Sequence, residues 1–72
     1  MTTAEWVAAY AGSAGIAAPS PDDIDVLLQL AGVAAHGSER TAAPITCWIA
    51  ANAGLEHAAA LALAESMAAD AS

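Results

Sequence analysis

Apolar residues recur at helical spacing in four stretches of this chain, and each stretch carries its own start and stop signals. Thr2, followed three residues later by Glu5, is a capping-box signature ahead of Trp6, Val7, Tyr10 and Ala14, which share one side of a first helix over residues 3–14. Gly15 then Ile16 predicts a Schellman stop, in which glycine takes the left-handed position and the apolar residue folds back on the last turn. Ser20, Pro21 and Asp23 predict the next start: a hydroxyl N-cap, a proline where its missing N–H is harmless, and carboxylates beside the positive dipole end.

The second helix, over residues 21–36 and ended by Gly37, is apolar on two sides. Ile24, Leu27, Leu28, Ala31 and Ala35 share one face, and Val26, Leu30 and Val33 cluster nearly opposite. Only a narrow strip through Asp22, Asp25, Gln29 and His36 is polar, so this helix is expected to lie between neighbours. Pro44 in a first turn predicts a third helix over 43–53, with Ile45, Trp48, Ile49 and Asn52 facing inward. Gly54 and Leu55 repeat the stop signal before a fourth helix over 55–69. Leu55, Ala59, Leu63 and Met67 form its main stripe. Leu61, with Ala58 and Ala62, carries apolar surface further round, more than a single docking face needs. The expected fold is all-α: one domain over residues 1–72, a compact four-helix bundle with short loops and the second helix at its centre. Leu55, Leu61 and Met67 are candidate interface residues.

Composition narrows the picture. Roughly a third of the residues are Ala, so each helix offers little apolar area, and Trp6, Tyr10, Trp48 and the Leu, Ile and Val residues are expected to supply most of the core. A chain of 72 residues holds a core worth only about 3–5 kcal/mol of net stability, so a partner would matter. Cys47 is alone and cannot form an internal disulfide; with two separated histidines it is too few ligands for a closed zinc site, and neither a metal nor a cofactor is expected. The net charge of -7, with Arg40 the single basic side chain, repels phosphate backbones and anionic headgroups, which argues against nucleic acid and membrane partners. Trp6, Val7 and Tyr10 are spaced at helical intervals with no basic n-region ahead of them, so a signal peptide is not expected and a cytoplasmic location is.

Chemistry concentrates at one place, His36-Gly37-Ser38-Glu39-Arg40, where a base, a hydroxyl, an acid and a cation meet in a turn. The structural reading has His36 and Arg40 serving the C-terminal end of the second helix, Arg40 by bonding its last carbonyls or pairing with a carboxylate. The functional reading makes Arg40 a fork for a phosphate or carboxylate, with His36 and Glu39 beside it. No phosphate-cradling loop or nucleophile motif accompanies them, and no residue is assigned a catalytic role.

The run HGSERTAAPIT resembles the His-x-x-Glu-Arg-x-x-Ala-Pro-(Leu/Ile)-Thr signature of a small actinobacterial domain of unknown function. The resemblance extends to the Trp-containing first helix, the Asp-x-Asp-x-Leu-Leu-x-Leu-Ala segment and the later Ala-Gly. That family is found alone or appended to the molybdenum cofactor guanylyltransferase, which joins GMP to molybdopterin. The resemblance implies a role near the maturation or delivery of that cofactor, molybdopterin guanine dinucleotide. The transferase's own Gly-rich phosphate loop is absent, so its activity does not carry over. Three readings follow: a non-enzymatic helical module that binds a protein partner; a small anionic-ligand binder or enzyme with a His36, Glu39 and Arg40 site; and a structural homodimer.

Overall fold

A computed structural model describes residues 1–71 as four α-helices: α1 Thr3–Ala14, α2 Pro21–Gly37, α3 Ala42–Asn52 and α4 His57–Ala71. The boundaries follow from local chemistry. Thr2 Oγ1 accepts from the Glu5 N–H at 3.1 Å while the Glu5 carboxylate accepts from the Thr2 N–H at 2.8 Å. Ser20 and Asp23 build the same reciprocal box on α2, a role for Asp23 beyond the dipole effect expected of it. Gly15 at φ 79° and Gly54 at φ 72° take the left-handed position that ends α1 and α3, and Ile16 and Leu55 donate back to Ala11 and Ala50. Glu56 lies ahead of α4, so that helix starts two residues later than its apolar stripe suggests.

The helices form a bundle organised on α2, which packs against both α3 and α4. His57 at the start of α4 lies 4.0 Å from Asp23 at the start of α2, and the far ends of both helices border one depression, so α2 and α4 run parallel. α3, joined to each by a four-residue link, runs the other way. α1 makes only slight contact with the rest. The outline is long, 39 × 24 × 19 Å, with a radius of gyration of 12.8 Å against about 11 Å for a compact chain of this length.

Leu30 is the large side chain completely enclosed at the centre, 1% exposed, with Val26 and Val33 half-buried beside it. On the opposite face of α2, Ile24, Leu27, Ala31 and Ala35 are half-buried, but Leu28 stays 60% exposed.

Which faces point inward differs from the expectation on the other three helices. On α1, Val7 and Ala11 are covered, whereas Trp6 and Tyr10 lie outside with ring centroids 6.2 Å apart. On α3, Ala42, Ala43, Thr46, Cys47 and Ala50 turn inward, and Ile45, Trp48 and Ile49 are each more than half exposed. Asn52, expected on that inward face, spends its side chain on the Trp48 carbonyl at 2.9 Å. On α4 the covered stripe is His57, Ala60, Leu61, Ala64 and Ala68, so Leu63 and Met67 face out. On α3 and α4 the physical reason is shared: the side that meets α2 is made mostly of small side chains, which lets the backbones approach closely, and Ile45, Trp48, Ile49, Leu63 and Met67 are left outside.

Candidate functional site

α3 and α4 both rest on α2 and barely touch each other. The gap between them is a groove. Leu30 forms its floor, Ile49 and Ala50 one wall, Leu63, Ala64 and Met67 the other, and Leu55 closes one end. This part holds about 230 Å³ and is lined almost wholly by apolar atoms. Toward the α2–α3 turn it continues past Thr46 and Met67 into a second hollow of about 260 Å³ over Val33, Ala34 and Gly37. The floor residues Leu30, Val33, Ala34 and Gly37 follow helical spacing along about two turns of α2, so the groove has the length and section to seat part of a helix.

The Leu55 end is acidic. Leu55 also borders a depression with Asp22, Asp23, Glu56 and His57, where the N-termini of α2 and α4 converge. Asp23 is engaged there, with one oxygen accepting from the Ser20 N–H and the other 4.0 Å from His57. Asp22 and Glu56 are exposed and make no side-chain hydrogen bond or ion pair among the described residues.

Of the candidate interface residues, Leu55 and Met67 line the groove. Leu61 does not: it is half-buried and borders the α2/α4 depression with Gln29 and Gly32. The free apolar surface of α4 therefore runs through Leu63 and Met67, with Ile49 across from them on α3. The phase of the small residues Ala60, Ala64 and Ala68 marks the packed side of α4, and it was the signal in the sequence that places Leu63 outside.

His36 stands in the last turn of α2, and Glu39 and Arg40 in the link that follows it. His36 borders the α2/α4 depression, together with Gln29, Leu61 and Glu65. Glu39 and Arg40 sit exposed in the turn, where their carbonyls accept from Ala42 at 2.9 Å and Ala43 at 3.2 Å to start α3. The Arg40 guanidinium bonds no helix carbonyl and pairs with no carboxylate among the described residues, contrary to the structural role expected of it. Among those residues, too, no three His, Cys, Asp or Glu side chains come together as metal ligands, and no helix is long and apolar enough to cross a membrane.

The chain exposes more surface than its mass requires. Its accessible area is 5228 Å² for 7.0 kDa, while a folded monomer of that mass exposes about 4,000 Å². The surplus, roughly 1,200 Å², exceeds the ~800 Å² that each side of a standard protein interface covers.

A family described as a domain of unknown function (DUF6457) matches residues 1–72, and the chain belongs to that family. No curated protein and no solved structure matches it.

Proposed function

We propose that this family member is a non-enzymatic helical interaction module whose α3/α4 groove receives an apolar helix of a partner protein, and that it serves molybdenum-cofactor maturation or delivery. The observation that carries the docking half is the groove itself, floored by Leu30 and walled by exposed Ile49, Leu63 and Met67. Bulky apolar side chains held on the rim of an open groove are what a helix-in-groove contact needs, and they are an aggregation liability otherwise. The likeness of HGSERTAAPIT to a signature found beside the molybdenum cofactor guanylyltransferase supports the second half.

Isothermal titration of the chain against that guanylyltransferase tests both. The expected result is binding that falls at least tenfold for Leu63→Glu, with the helical circular dichroism signal retained. Absence of binding by the unaltered chain removes the molybdenum-cofactor assignment. If instead the chain binds a nucleotide or pterin and Arg40→Ala abolishes that binding at an unchanged thermal midpoint, the site is His36, Glu39 and Arg40 and the docking reading falls.

A further inference from the structure

We infer that the helix taken by the groove is amphipathic and carries Lys or Arg at the end that lies over Leu55. The inference rests on the docking reading and adds the chemistry of the partner. Along the groove an occupant meets mainly apolar atoms, with Thr46 the polar side chain midway, so its buried face must be predominantly apolar. At the Leu55 end it meets Asp22, Asp23 and Glu56, with His57 4.0 Å from Asp23. The two helix N-termini that converge there contribute about half a positive charge each, roughly one unit against three carboxylates. The end therefore stays negative, with Asp22 and Glu56 free to pair.

A second copy of this chain is the wrong occupant on the same grounds. It would bring a further net charge of -7 and offer Arg40 as its single basic side chain. Like charges brought together at an interface oppose association, whereas a basic end gains from the same field. Position matters as well as sign. The groove's far end opens toward Ser38 and Ala42, beside the turn that holds Glu39 and Arg40, whose opposite charges offset each other, so the unbalanced negative charge that a basic residue would meet lies at the Leu55 end.

Three labelled synthetic helices with one common apolar face test this by fluorescence anisotropy against the full chain. One carries a Lys pair at its N-terminal end, one at its C-terminal end, and one carries Glu pairs at both, since the groove charge fixes which end is basic and leaves chain direction open. The expected result is that one Lys peptide binds at least tenfold tighter than the Glu peptide, and that the advantage shrinks as salt rises from about 0.05 M to about 0.5 M. Glu56→Gln should reduce that advantage, and Leu63→Glu should abolish binding of every peptide. Equal affinities that Leu63→Glu still abolishes overturn the charge inference and leave the docking reading standing. Failure of all three peptides, or binding indifferent to Leu63→Glu, overturns both. Sedimentation of the unaltered chain alone as a dimer, converted to monomer by Leu63→Glu, makes a second copy the occupant and overturns the inference.

Discussion

Truncating Leu30 to alanine removes the one large side chain that the described residues enclose completely. A Leu→Ala change at such a site costs about 2–5 kcal/mol, comparable with the ~3–5 kcal/mol that a domain this small holds in total. Leu30→Ala should therefore be largely unfolded in urea titrations at room temperature, whereas Leu28→Ala, at a position 60% exposed on the same helix, should stay within about 0.5 kcal/mol of the parent. The sequence placed both residues on apolar faces of α2 and could not rank them, because only the splay of α3 and α4 decides which face is floored over. Glu5 gives a second test at this scale. The Thr2 N–H bonded to its carboxylate, and then the Thr2 hydroxyl, hold its pKa below the usual carboxylate range. A folded-state pKa that is depressed means that the capping contribution is present above the unfolded pKa and lost as pH falls through the folded one. The Thr2 amide resonance should follow that acid titration, and Glu5→Gln, which keeps an acceptor but not the charge, should leave it flat.

At the scale of the element, start and stop signals were legible and inward faces were not. Capping boxes and Schellman glycines are contacts within a few residues, and the bonds at Thr2, Ser20, Gly15 and Gly54 formed as their residue types require. Facing is a tertiary matter. Size and hydrophobicity put Trp6, Trp48 and Leu63 in the core, yet α1 covers Ala11 instead, and α3 and α4 turn Ala50 and Ala60 inward, where short side chains permit close approach to α2. His36, Glu39 and Arg40 were legible as a neighbourhood in sequence; their surroundings were not, and the structure has His36 bordering the α2/α4 depression and Arg40 exposed in the turn without an ion pair among the described residues. Glycine substitutions separate the two kinds of information. Gly54→Ala forces a side chain into the left-handed region and should lose about 1 kcal/mol in thermal unfolding. Gly12→Ala, inside α1 with open space where its Cβ would stand, should gain about 0.5–1 kcal/mol by helix propensity.

For the whole molecule, a surplus of roughly 1,200 Å² over the area expected of its mass, an elongated outline and a groove between two helices that share a support are the observations that the docking proposal brings together. On that proposal, the isolated chain is a bundle with a place left for another helix. On the further inference, its acidity sets what kind of helix enters. This account requires that Ile49 and Leu63 contribute to binding and little to folding, the reverse of what their hydrophobicity alone suggests. The measurement that tests it most directly is the urea unfolding free energy of the isolated Ile49→Gln/Leu63→Gln variant. The account predicts a value within about 1 kcal/mol of the parent, as for two surface positions; a loss of several kcal/mol, as for a filled core, contradicts it.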